Sequence, residues 1–238
     1  MTKPILTRER ATRSTDFILT TLVLSLLLPI TCFGADFSIK TVEKPPPVEI
    51  DPAIAKLLQP RTLQLIEGDK PIWEFWFCSA TPLQATPQSV AKSLDAIKST
   101  TLFGVAVVRD GQRDYKNNEI PPGVYTLRFL LQPQDGNHLG TAEYSYFVVL
   151  VQAKLDRKPD GLTDYKSLVK ASSKDTSSDH PPVISLRPVI APEANLPKLA
   201  EPAPEHKSIR LKLPAKVAGT SEETSVVFDL VFRGVGHI

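Results

Sequence analysis

The chain has 238 residues, 42% of them apolar, enough to bury the core of one sizeable β domain or two small ones. Its net charge is +2, yet the first 34 residues hold four basic side chains (Lys3, Arg8, Arg10, Arg13) and two acidic ones (Glu9, Asp16). The remainder is therefore neutral, and no basic patch for nucleic acid or anionic lipid is implied.

The N-terminus has the layout of a secretory signal peptide. A basic stretch precedes the apolar run "FILTTLVLSLLLPI" (Phe17–Ile30), and small residues follow in "TCFGAD". Cleavage after Gly34 places Cys32 and Gly34 at the positions the peptidase reads, whereas cleavage after Ala35 places Phe33 at −3. The rival reading is an uncleaved membrane anchor. The run is shorter than the ~20 residues a spanning helix needs, and Pro29 interrupts its end. Lipidation at Cys32 is disfavoured, because "LPITC" puts Pro and Thr where a lipid-attachment box needs Leu and a small residue. Removal of residues 1–34 leaves one cysteine, Cys78, so the expected exported protein is not a disulfide scaffold. Cys78 ends the aromatic stretch "IWEFWFC" and is expected to be buried and inert.

Residues 35–60 form a proline-rich arm. "VEKPPPVEIDP" favours an extended, polyproline-like course, and "AIAKLL" allows one helical turn. Short β patterns follow. "TLQLI" alternates, and "IWEFWF" puts Trp73, Phe75 and Phe77 on one face and Ile72, Glu74 and Trp76 on the other. "QSVAKSLDAIKS" predicts a short helix or irregular turn. "LFGVAVV" (Leu102–Val108) predicts a buried strand in which Gly104 marks close packing or a bulge. In "IPPGVYTLRFLLQP", Pro122 and Gly123 fit the centre of a type II turn. The strand after it turns Tyr125, Leu127, Phe129 and Leu131 to one face and Thr126, Arg128 and Leu130 to the other.

"QPQDGNHLGT" then connects to "EYSYFVVLVQA", a strand apolar on both faces and so covered on both. "LTDYKSLVKAS" predicts a short amphipathic helix capped by Thr163 or Asp164, with Tyr165, Leu168 and Val169 on one face. "HPPVISLRPV" reads as an edge strand blunted by proline, and residues 188–206 as a proline-rich crossover. Two alternating strands, "SIRLKLP" and "SVVFDLVF", pair as a hairpin around Gly219. These elements predict a mainly β fold, an antiparallel β-sandwich of residues 61–238 with one or two short helices. Two small domains divided at the crossover are the alternative.

No catalytic signature is present: no G-x-S-x-G elbow, H-E-x-x-H, Walker loop, dinucleotide glycine motif or C-x-x-C. Two chemical possibilities remain. His138, His180 and His237 lie at the ends of apolar β segments, as loops at one end of a sandwich do. Convergence with Asp135 would make a zinc- or copper-binding site, in a metal-binding protein or a metal-dependent enzyme. The plainer reading is that each imidazole makes a local hydrogen bond or sits in solvent, and Asp135-Gly136-Asn137 is in any case a good turn. A calcium loop would need more oxygen ligands than Asp135 and Glu143 provide. The second possibility is glycan binding through aromatic faces, with Trp76 the leading candidate because it shares a face with Glu74. Core packing is the competing role for that ring.

The segments "IPPGVYTLRFLLQPQDGNHLGT", "YFVVLVQAKLD", "HPPVISL" and "VGHI" resemble those of a family of uncharacterised exported bacterial proteins, from about Trp73 to the C-terminus. "QPQDGNHLGT", flanked by "GVYTLR" and "VVLVQA", is the most specific block. The "PPGVYTL" turn and strand are more loosely similar to those of prealbumin-like and carboxypeptidase-regulatory β-sandwich domains. The resemblance implies export and a β fold and assigns no activity. The expected protein is thus an exported, non-catalytic binding or structural module of the periplasm or cell envelope. Its expected partner is an envelope protein or a glycan, and it contacts the membrane only if the signal segment stays uncleaved.

Overall fold

Strong alternation and few helical stretches produce a mainly β protein, as expected. The computed structural model describes residues 36–114, 117–133, 144–175 and 180–234. In chain order the strands are Phe37–Glu43 (β1), Arg61–Glu67 (β2), Lys70–Phe77 (β3), Thr81–Leu83 (β4), Leu102–Val108 (β5), Gln112–Arg113 (β6) and Glu119–Ile120 (β7). They continue with Gly123–Leu131 (β8), Tyr146–Gln152 (β9), Val183–Pro188 (β10), Lys198–Ala203 (β11), His206–Val217 (β12) and Glu223–Arg233 (β13). Among the described residues two short helices, Pro52–Ala55 (α1) and Tyr165–Ser172 (α2), and three 3-10 turns accompany these strands. No helix among the described residues is long and apolar enough to cross a membrane.

The main sheet runs β1-β2-β3-β5-β8-β9-β10-β13-β12-β11, every neighbour antiparallel. β4 leaves this path and pairs in parallel with residues 215–217 of β12. The sheet folds over so that its halves pack face to face, as in a sandwich. Phe103 of β5 and Phe228 of β13 meet across the core at 5.4 Å between ring centroids. The edge strand β1 also approaches the far half of the sheet, with Phe37 edge-on to Phe232 of β13 at 5.1 Å. One main core fills the interior, and both strands of the C-terminal hairpin contribute to it. The hairpin after the crossover thus packs into the same core as the preceding strands.

Trp73, Phe75 and Phe77 stack in succession at 5.3 and 5.9 Å inside this core, as their alternation predicts. Ile72 joins them there instead of sharing the face of Glu74. The β2–β3 register shifts between Leu65 and Ile66, and a bulge of this kind turns one side chain over. Gly104 behaves as expected: it sits at a register shift, and a Cβ there would overlap the Trp76 carbonyl oxygen and lie 2.9 Å from Phe77 Cα. Gly123 differs from the expected type II turn. It has no positive φ and begins β8 opposite Val108. Its lack of a side chain makes room for the Tyr125 ring, whose hydroxyl donates to the Pro121 carbonyl at 2.8 Å.

The outer face is covered in two places. The proline-rich segment is no free arm: its start is β1, and Ile50, Ile54 and Leu58 pack over Trp76, Val105 and Val107. Asp51 caps α1 by accepting from the Ala53 amide at 3.0 Å, with Pro52 in the first turn. Further along, α2 lays Leu168 over Leu130, Val149 and Val151, so β9 is indeed covered on both faces. Asp164 rather than Thr163 is the cap, accepting from the Ser167 amide at 2.9 Å. The crossover also gains order, because its 198–203 stretch pairs with β12 as β11.

Candidate functional site

The sequence candidates come first. His138, His237 and Asp135 lie outside the described residues. His180 is exposed before β10, and His206 is half-buried at the start of β12, its ring against Gly234. Among the described residues no group of three or more His, Cys, Asp or Glu side chains is placed to hold a metal ion.

Trp76 requires a correction. Its side chain is 0% exposed, its indole N–H donates to the Lys44 carbonyl at 2.9 Å, and the Lys44 ammonium lies 5.5 Å from its ring. The N-terminal segment seals the ring, so it offers no face to a sugar. Cys78 is buried as expected, its thiol donating to the Leu102 carbonyl at 3.5 Å. Burial pushes that thiol up to about 12, which keeps it protonated and a poor nucleophile.

Glu74, beside Trp76, is also sealed, at 1% exposure. Burial pushes its carboxyl up, but hydrogen bonds from Lys44 (2.7 Å), Gln64 (2.8 Å) and Arg109 outweigh this and hold it below its ordinary value. Every one of those donors belongs to the protein, so the group ties the N-terminal segment to β3 and is closed to ligands.

An open cleft lies where the chain leaves β3. Residues 78–80 carry the chain from β3 to β4, which pairs with the end of β12, and beside them opens a recess of about 720 Å³. Most of its lining comes from Lys56–Leu57 after α1, Cys78–Pro82, Lys98–Leu102 entering β5, and Lys216–Thr220 at the end of β12, with Arg128, Pro159 and Thr163 completing it. Leu57, Pro82, Leu102 and Val217 supply apolar surface. Lys56, Lys98 and Lys216, all exposed, stand around it with the hydroxyls of Ser99, Thr101 and Thr220. The described lining holds no carboxylate, no imidazole and no aromatic ring.

Two features fix the cleft's floor. Arg128, 1% exposed, forms a two-pronged ion pair with Asp156 (Nε to Oδ2 2.6 Å, Nη2 to Oδ1 2.8 Å). Its remaining donors go to the carbonyls of Thr100 (3.0 Å), Pro159 (2.9 Å) and Lys158 (2.8 Å). All five guanidinium N–H groups are thus used. Thr126 donates to the same carboxylate at 2.6 Å.

The second feature is Thr100, buried and at φ 74, a left-handed conformation that a β-branched residue rarely adopts. Such a geometry costs about 1–3 kcal/mol and needs surrounding structure to enforce it. The Thr100 amide donates to the Phe129 carbonyl at 2.7 Å, and its own carbonyl accepts from Arg128. The rim between Lys98 and Leu102 is therefore held in one shape.

This site was not visible in the sequence, because its residues come from segments up to 164 positions apart. The nearest signal was Arg128 itself, a charge inside the apolar strand "YTLRFLL", which demands a buried partner. No family model, curated protein or solved structure matches the chain.

Proposed function

We propose that the chain is an exported, non-catalytic β-sandwich protein of the periplasm or cell envelope that binds a small ligand in the cleft between α1, β4, β5 and the β12 turn. The observation that carries this reading is a pre-shaped 720 Å³ recess with apolar walls and a few polar groups at its rim. Small-molecule sites have this build, with volumes of about 300–1,000 Å³. A binding role fits better than catalysis because the described lining supplies no carboxylate or imidazole to move a proton. Cys78, its one thiol, is held protonated by burial. Export rests on the basic and apolar N-terminal segments.

A thermal-shift screen of small molecules, run in parallel on the wild type and on Ala80→Trp, tests the reading. Ala80 is exposed on the cleft wall, so the indole would fill the recess without entering the core. Compounds that raise the Tm of the wild type and leave that of Ala80→Trp unchanged are expected. Equal shifts in both proteins for every compound would contradict the cleft as the binding site.

A further inference from the structure

We propose that the ligand of this cleft is a small organic anion, an apolar body carrying one acidic head group such as a carboxylate. The proposal rests on the cleft being the binding site and adds the chemistry of what it holds.

The first support is charge. Lys56, Lys98 and Lys216 reach the cleft from three separate parts of the chain, and none has a carboxylate within ion-pair distance among the described residues. Four other lysines are paired: Lys44 with Glu74 at 2.7 Å, Lys92 with Asp95 at 3.3 Å, Lys198 with Glu193 at 2.7 Å, and Lys207 with Glu201 at 2.8 Å. Others such as Lys40 and Lys212 also lack an ion pair among the described residues, so the convergence of three cations on one recess is what sets the cleft apart. Residues 35–238 are neutral in sum, so three cations without a counter-charge around one recess are a local excess. Like charges around a low-dielectric cleft focus a positive potential into it and favour an anionic occupant.

The second support is what the cleft lacks. Its one guanidinium, on Arg128, has every N–H committed to Asp156 and to backbone carbonyls. No fork remains for the two-pronged capture typical of phosphate groups. Lysines act as point charges, which is sufficient for a single small anionic head. Among the described residues no aromatic ring lines the recess, so none of them offers a sugar a stacking platform. The apolar walls instead match a hydrocarbon body, which gains roughly 25 cal/mol for each Å² removed from water. The concave shape takes in a free small molecule, where a membrane surface would need a protruding apolar patch.

Titration calorimetry with three probes of equal chain length, used below their micelle concentrations, tests the proposal. The probes are decanoate, decanol and decyltrimethylammonium. Decanoate is expected to bind the wild type and lose the site in Ala80→Trp. Lys98→Ala and Lys216→Ala should each weaken it about two- to fivefold, the usual worth of an exposed ion pair. Decanol should bind on the order of tenfold more weakly, because it forgoes all three such pairs, and the cation should not compete. Added salt should weaken decanoate and leave decanol unchanged. If decanol or the cation binds as tightly as decanoate, and Ala80→Trp abolishes it, the anion assignment is overturned while the cleft remains a binding site. If decanoate does not bind, the anion assignment is likewise overturned. If decanoate binds Ala80→Trp as well as it binds the wild type, the cleft itself is excluded.

Discussion

Arg128 and Asp156 form a buried, two-pronged ion pair beneath the cleft, with the side chains 1% and 0% exposed. The pair joins β8 to the loop after β9, and Arg128 also holds Thr100 and the carbonyls of residues 158 and 159. Removing one partner leaves an uncompensated charge in the interior, which costs about 3–5 kcal/mol. Asp156→Ala is therefore expected to lower the urea midpoint sharply. Arg128→Met combined with Asp156→Leu removes both charges and should recover a large part of that loss. An Asp156→Ala midpoint equal to the wild type's would show that the pair does not form.

Glu74 makes stability depend on pH. Its carboxyl lies below the ordinary value of 4.5 in the folded protein, because Lys44, Gln64 and Arg109 outweigh the opposing effect of burial. A depressed folded pKa adds stability that is complete above about 4.5 and is lost as pH falls through the lower folded value. Unfolding measured from pH 7 downward should show a loss that begins near pH 4.5 and is smaller in Glu74→Gln. The variant should already be less stable at pH 7, since it keeps the three donors and removes the negative charge they surround. Identical pH slopes in the two proteins would contradict this role.

Gly104 is fixed by the approach of β3. A methyl group there would overlap the Trp76 carbonyl oxygen and crowd Phe77 Cα at 2.9 Å, and both are backbone atoms that side-chain rotation cannot relieve. Gly104→Ala is expected to cost about 1–3 kcal/mol, the range for overpacking a core, read as a fall in Tm. Gly219→Ala meets open space but sits at φ 77, so its cost is conformational and smaller, about 1 kcal/mol. A reversed order of the two Tm shifts would contradict the tight β3–β5 contact.

Export is tested by the intact mass of the protein recovered from the producing cell. Cleavage after Gly34 predicts a chain that begins at Ala35. A chain that retains residues 1–34 in the membrane fraction would favour the anchor reading instead.

The metal alternative makes the opposite prediction from a ligand cleft. The protein purified without chelators is expected to contain no stoichiometric zinc or copper. Metal bound one to one and lost in His138→Ala would replace this account with a site built from His138, His180, His237 and Asp135.

Local alternation was legible, and long-range convergence was not. The repeat of Trp73, Phe75 and Phe77 named its own core face, and the apolar run through β9 announced cover on both sides. β1 and β11 were harder to see because proline-rich segments are already extended. Whether such a segment pairs depends on a neighbouring edge that pattern alone does not reveal. Trp76 misled for a related reason. Its ring was assigned to the face opposite Trp73, Phe75 and Phe77, but the segment that covers it, from Lys44 to Leu58, lies 18 to 32 residues earlier. Two walls of the cleft come from β4 and β12, whose parallel pairing no local pattern encodes.

The most direct test is a ¹⁵N-correlation NMR titration of the assigned protein with decanoate. The account predicts shift changes concentrated in residues 56–57, 79–82, 98–102 and 216–220, saturating together with one Kd. Changes centred on residues 134–143, or scattered without saturation, would contradict the cleft as the site of binding.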